Sequence, residues 1–359
     1  MTDVLFTVRG RLGRITLNRP RAINALNHGM LRRIADALTA WEHDERIRAV
    51  LIDGAGERGL CAGGDIRSIY DDVSSGGTTA LDFWVDEYRL NARISHYPKP
   101  YVALMDGLVM GGGVGVSSHG SVRVVTERSL VAMPEVAIGL VPDVGGTYLL
   151  SRMPGRSGTH VALTTARISG ADAIHHGLAD HYVPSDRLGA LAAALGSGDD
   201  RDPVDVVRSF AEPPPASALA AQASWIDHCY AARTVEEILD RLNDHGGPAA
   251  AAAKEIAKRS PTALKVTLRA LRSAAELPSL EAVLDQEYRV SSACLHSHDL
   301  AEGIRAQVVD KDRNPRWSPA TLAEVGDDLV ASFFAPLGAG ELGLAAAPAH
   351  GVTADGVTA

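Results

Sequence analysis

Residues 108–120 read LVMGGGVGVSSHG, with consecutive glycines at 111, 112 and 113 and a fourth at 115. Glycine inside a helix costs about 1 kcal/mol relative to alanine, because so much backbone freedom is lost on folding. A chain that concentrates this cost in one apolar stretch either packs two backbones very closely or turns bare N–H groups toward a ligand. The stretch follows the apolar run Tyr101 to Met105, so it reads as a strand leading through a tight turn into a helix. A second turn of this kind, GLCAGGDIRSIY from Gly59 to Tyr70, follows the apolar run Val50 to Asp53. In both, N–H groups at a helix start have no intrahelical acceptor. Two such donors meeting at one oxygen make an oxyanion hole. Read singly, each turn is explained as well by tight packing of helix on strand.

The surrounding pattern alternates strand and helix. Asp3 to Asn18 holds two apolar runs around Gly10 and Gly13, which suggests a hairpin. His28 to Asp44 places Met30, Leu31, Ile34, Ala37, Leu38 and Trp41 at helical spacing. Short apolar runs at 48–56 and 99–107 read as buried strands, and 121–135 supplies two more. Such repetition predicts an α/β fold with a largely buried sheet over residues 1–195. Residues 196–216 combine charge, glycine and the prolines 213–215, and read as linker-like. Residues 217–335 carry only helical patterns, with Ser260 capping a helix whose first residue is Pro261. Residues 336–359 are rich in Ala and Gly without large apolar anchors, and read as a flexible tail.

Composition narrows the function classes. A chain of 359 residues, 46% hydrophobic, builds a sizeable core in one or two domains. No apolar run is long enough for a membrane span, so no membrane partner is expected. The first twenty residues lack a leader pattern, which sets the expectation of a cytoplasmic protein. Three cysteines, Cys61, Cys229 and Cys294, are too few and too scattered for a disulfide framework or a cysteine zinc site. Thirteen dispersed histidines suggest no metal centre, and a formal charge of −9 argues against a nucleic-acid partner.

A third stretch, MPEVAIGLVPDVGGTYLL from Met133 to Leu150, sets two carboxylates, Glu135 and Asp143, in apolar company. Such carboxyls tend to have raised pKa values and suit acid–base work. The structural alternative is that Glu135 caps a turn and Asp143 caps a helix starting near Gly145.

At this point several motifs together carry a resemblance. NRPRAINALN (18–27), CAGGDI (61–66), MGGGVG (110–115) and MPEVAIGLVPDVGG (133–146) occur in the order and spacing of the crotonase, or enoyl-CoA hydratase/isomerase, superfamily. WVDEYRLN (84–91), SPTALKVTLRAL (260–271) and DLAEGIRAQVVDKDRNPRWSP (299–319) resemble more narrowly its branch that hydrolyses short 3-hydroxyacyl-CoA thioesters. The likeness covers most of residues 3–325, apart from the linker-like segment. It implies a crotonase-like spiral of ββα units with a C-terminal helical region. It implies an acyl-CoA substrate whose coenzyme A moiety is the only cofactor-like group, with no metal. By motif position the oxyanion donors are the N–H groups of Gly64 and Gly112. Arg21, Ala22, Ala62, Asp65 and Ile66 fall where the family lines the CoA, and Gly63 belongs to the same turn. The superfamily often forms trimers, so a homo-oligomer is expected unless the longer C-terminal region covers that surface.

Hydration of an enoyl thioester needs groups placed at both the α- and β-carbons. The resembling hydratases use two glutamates; the first matches Gly115, which has no side chain to offer, and the second matches Glu135. Asp143 stands where the hydrolase branch has aspartate and typical hydratases have glycine. Hydrolysis demands less, since a thiol of pKa near 8.5 departs readily as thiolate. The resemblance thus gives Glu135 the role of water-activating base or of nucleophile forming an anhydride. It gives Asp143 the orientation of the substrate hydroxyl and a share in proton transfer, and Glu87 a contact at the hydroxyl-bearing end. Glu87 reads equally well as a solvated helix-face acid. His119 reads as a packing residue, and Cys61 as a small filler rather than a nucleophile. Enoyl-CoA hydration or isomerisation, and a non-catalytic acyl-CoA-binding subunit, are the competing functions.

Overall fold

A computed structural model describes residues 2–198 and 201–345 of the chain. Its strands are β1 (Val4–Arg9), β2 (Leu12–Leu17), β3 (Ala49–Gly54), β4 (Tyr101–Met105), β5 (Leu108–Met110), β6 (Val122–Val125), β7 (Leu130–Ala132), β8 (Ile168–Ser169) and β9 (His181–Tyr182). The first two form the expected hairpin, with Val4 opposite Leu17 and a two-residue turn in which Gly10 takes φ +54°. From β2 onward the larger sheet is parallel, in the order β1-β2-β3-β4-β6-β9. A smaller sheet runs β5-β7-β8.

Both faces of the parallel sheet are covered, which is why its strands read as unbroken apolar runs. Val50 and Ile52 point into the main core with Tyr101 and Ala103, whereas Ala49 and Leu51 point the other way with Val102 and Leu104. The loop after β3 bridges to the smaller sheet: Cys61 pairs with Val109, and Gly59 with Gly107. Successive segments therefore give one strand to each sheet before a helix follows. The segments are β3 with the Cys61 bridge, β4 with β5, and β6 with β7. This is the crotonase-like spiral that the motifs imply.

The helices that carry the site are α1 (His28–Glu42), α2 (Ile66–Ser74), α3 (Thr79–Ser95), α4 (Gly112–Gly115) and α5 (Gly146–Ser151). Helices Pro261–Glu276 and Leu280–Leu295 pack against them from the C-terminal region. Ser260 caps the first of these, accepting from the Ala263 amide at 3.0 Å with proline at the first helical position.

Two segments differ from their sequence reading. The linker-like stretch 196–216 contains a helix, Pro203–Phe210, whose Val206 and Val207 are buried on the outer face of the parallel sheet. Pro203 is the first residue of this helix, capped by Asp202, and the prolines 213–215 lie beyond its end. The first part of the expected tail is also docked. Leu342 is buried, Glu341 pairs with Arg289, and the amides of Leu344 and Ala345 donate to Asp285. Residues 346–359 of that expected tail lie outside the described residues.

Candidate active site

The two glycine turns meet. The Cys61 amide donates to the Leu108 carbonyl and the Met110 amide returns to the Cys61 carbonyl, zipping loop 59–64 alongside β5. Leu26 then ties the loop from the other side, donating to Gly63 O and accepting from Asp65 N at 2.8 Å each. A methyl group built on Gly112 would lie 3.3 Å from the Gly64 nitrogen, so the two amides are neighbours. Among the described residues neither the Gly64 nor the Gly112 N–H finds an acceptor in a turn, loop or cap. Gly111, at φ +49° and ψ −120°, makes the corner that aims the second amide, a conformation reserved for glycine. Gly113 serves packing instead: a methyl there would lie 2.6 Å from the Cys61 carbonyl oxygen.

Acids close round this pair of amides. Helix α3 carries Glu87, Tyr88 and Asn91 into the interior, and all three are buried. Glu87 Oε1 lies 2.5 Å from the methyl built on Gly112. From the opposite side Glu135, the first residue of a 3-10 turn after β7, places Oε1 2.9 Å from a methyl built on Gly111. Glu87 is therefore a buried acid facing the turn, which excludes the alternative of a solvated helix-face acid. Asp143 accepts from the Tyr88 hydroxyl at 2.8 Å, and Tyr88 is in turn 2.9 Å from Ser291.

Electrostatics follow from this crowding. Burial lifts Asp143 to about 6 against the pull of its Tyr88 bond. Burial, and then the neighbouring charge of Asp143, push both Glu87 and Glu135 well above the ordinary carboxylate range. Like charges this close and this dry do not ionise together. Glu87 Oε1 and Glu135 Oε2 have no hydrogen-bond partner among the described residues. These are oxygens available to a substrate or to water.

The turn that follows Asp143 is held by two residues on other elements. Glu287, on helix Leu280–Leu295, accepts from Gly145 N at 2.6 Å and from Thr147 N and Oγ1 at 2.8 and 2.6 Å. Burial lifts it to about 8. His119 Nε2 lies 2.8 Å from the Val144 carbonyl, and burial lowers the ring to about 4, so it is a neutral donor. These contacts fix a turn in which Val144, a β-branched residue, takes φ +53° and Gly145 φ +77°. Strain of this kind gathers at functional sites. His119 therefore packs and hydrogen-bonds, as its sequence reading holds. Cys61 is a buried thiol lifted to about 12, which leaves it protonated.

The residues expected to line coenzyme A also assemble. Arg21 and Ala22 form an exposed 3-10 turn, joined to the Ala62–Ile66 strip through the Ala62 N to Ile23 O bond. Asp65 is held by Arg19 at 2.8 Å. Sequence reasoning missed Tyr88, Asn91, Glu287 and Ser291. Their only signal was polar residues three or four apart within two helical stretches, Tyr88 with Asn91 and Glu287 with Ser291.

A family profile described as Enoyl-CoA hydratase/isomerase matches residues 12–334. A relative from Gallus gallus, named 3-hydroxyisobutyryl-CoA hydrolase, mitochondrial, is 44% identical over 351 residues, 95% of this chain and 91% of that one. A crystal structure titled as a carnitinyl-CoA dehydratase from Mycobacterium thermoresistibile is 58% identical, with TM-score 0.90 over 94% of this chain and 97% of its own. A second, titled as an enoyl-CoA hydratase from Rhodobacter sphaeroides, is 43% identical, with TM-score 0.89 over 95% and 99%. Among the described residues no helix is long and apolar enough to cross a membrane.

Proposed function

The chain belongs to the enoyl-CoA hydratase/isomerase family, and from that premise we propose that it hydrolyses the thioester of 3-hydroxyisobutyryl-CoA, a step of valine breakdown. The observation that carries this reading is the lack of room at Gly115. A side chain there would meet Asn91 Nδ2 and Val144 Cβ at 2.8 Å each, so no glutamate projects from this point of α4. The Gallus gallus relative's name supports the same substrate.

In this reading the thioester oxygen sits between the Gly64 and Gly112 amides, which stabilise the tetrahedral oxyanion. Glu135 takes the proton of an attacking water, or attacks the carbonyl itself to give an anhydride that water then opens. The C–S bond breaks and the CoA thiolate leaves without needing strong acid help. Asp143, oriented by Tyr88, and Glu87 face the hydroxyl-bearing end of the acyl chain. Arg21, Ala22, Ala62, Gly63, Asp65 and Ile66 line the path of the CoA. The reaction calls for no metal and no redox cofactor.

The titles of the two solved relatives favour a second reading, addition of water to an enoyl-CoA or its reverse. One experiment separates the two. Free thiol is measured from 3-hydroxyisobutyryl-CoA while the conjugated absorbance of crotonyl-CoA is followed in parallel. Thiol release with crotonyl-CoA untouched supports the hydrolase. Loss of crotonyl absorbance without thiol release replaces it with the hydratase.

A further inference from the structure

We propose that Asn91 is the residue that makes the 3-hydroxyl of the acyl chain a requirement, its amide supplying one donor and one acceptor about one helical turn from the Gly112 amide. This inference rests on the hydrolase reading and names the group within the site that sets its specificity. Asn91 is fully buried, and neither Nδ2 nor Oδ1 has a hydrogen-bond partner among the described residues. A buried amide with both ends unpaired destabilises the free protein, and such groups mark places where something else completes the bonds.

Its position matches the substrate's shape. A methyl built on Gly115 lies 2.8 Å from Asn91 Nδ2 and 3.2 Å from Oδ1. Gly115 is three residues along α4 from Gly112, a rise of about 4.5 Å. Asn91 is four residues along α3 from Glu87, so the two share a face, and Glu87 Oε1 lies against Gly112. A carbonyl held by the Gly64 and Gly112 amides therefore has its C3 substituent about one helical turn deeper, at Asn91. Val144, the neighbour of Asp143, places its Cβ 2.8 Å from the same methyl. A hydroxyl both donates and accepts, and an amide offers the complement of each at any pH. The carboxyl groups of Glu87, Glu135 and Asp143 offer a donor only while protonated.

The test compares Asn91→Leu and Asn91→Asp with wild type on 3-hydroxyisobutyryl-CoA and on isobutyryl-CoA, which lacks the hydroxyl. The readout is the ratio of kcat/KM between the two thioesters. In Asn91→Leu that ratio falls on the order of 100-fold, because a site built to bond a hydroxyl loses its partner. Asn91→Asp keeps part of the preference. Melting of Asn91→Leu occurs at or above the wild-type temperature, since an unpaired amide is replaced by an apolar group of similar shape. A ratio within about threefold of wild type in both variants overturns the assignment, whatever the absolute loss of rate. Should Asn91→Leu fail to fold, Asn91→Ala provides the same ratio. A wild-type protein that hydrolyses neither thioester overturns the hydrolase reading itself, and this inference with it.

Discussion

Gly112→Ala separates a glycine kept for a ligand from a glycine kept for packing. Gly112 sits in helical conformation, so alanine suits its backbone and recovers up to about 1 kcal/mol of helix propensity. The new methyl meets Glu87 Oε1 at 2.5 Å and Leu26 Cδ1 at 3.2 Å, both at the ends of flexible side chains that can swing aside. The two effects offset, and the melting temperature should stay within about 3 °C of wild type. The same methyl lies 3.3 Å from the Gly64 nitrogen, in the space a thioester oxygen must occupy to accept from both amides. Losing one such donor costs about 3 kcal/mol of barrier, and each 1.36 kcal/mol is about tenfold in rate. Obstructing one donor lowers kcat by about 100-fold, and obstructing both by about 10,000-fold. The assay is thiol release with a chromogenic thiol reagent, beside a thermal melt of the same preparation. Gly113→Ala is the control. Its methyl would strike the Cys61 carbonyl at 2.6 Å, and the resulting overpacking costs about 1–3 kcal/mol of stability. A folded Gly112→Ala enzyme with kcat within about tenfold of wild type would refute the oxyanion assignment.

Further outcomes follow from the same geometry. Glu135→Gln should lower kcat by at least about 100-fold with the fold intact, as removal of a base or nucleophile does; near wild-type turnover contradicts its role. If Glu135 is that base, the rate rises with pH as it loses the proton that burial and the Asp143 charge help it keep. Asp143→Asn removes one of those causes, so the acidic limb of the pH–rate profile should move to lower pH; a limb that stays put or moves up speaks against the coupling. Glu287→Ala leaves three donors in the Gly145–Thr147 turn without an acceptor and should cost about 3 kcal/mol or more in denaturant melts. Burial raises Glu287 from 4.5 to about 8 in the folded chain. Its share of stability is therefore full below 4.5 and lost as pH climbs through 8, and Glu287→Gln should flatten that slope. Cys61→Ser should keep most of its turnover, since the buried thiol stays protonated; loss of the tetrahedral chemistry in this variant would reopen Cys61 as a nucleophile.

The sequence makes legible what depends on local backbone chemistry. Glycine runs after strands locate both amide turns, the two-residue hairpin is marked by Gly10, and Ser260 with Pro261 marks a helix start. Glu135 and Asp143 stand out because they interrupt apolar segments. Residues whose role comes from distant partners are not legible in this way. Glu287 meets the Gly145 turn across 142 positions, and Tyr88 reaches Ser291 across 203. No periodicity records such pairings. Glu87 and Asn91 lie one helical turn apart on α3, and only the packing of the other elements against that face buries it. The helix Pro203–Phe210 hides behind a proline, because proline at a first helical position and proline in a linker look alike in one dimension.

Whether the bond broken is the thioester C–S bond, with the oxygen of water ending on carbon 1 rather than carbon 3, is decided by turnover of 3-hydroxyisobutyryl-CoA in heavy-oxygen water. Mass spectrometry of the products should place the label in the carboxylate of the released acid, with the oxygen on carbon 3 unlabelled and free CoA formed in equal amount. Label on carbon 3 of an intact CoA thioester would contradict the hydrolase reading, because it would show dehydration and rehydration at the site instead of hydrolysis.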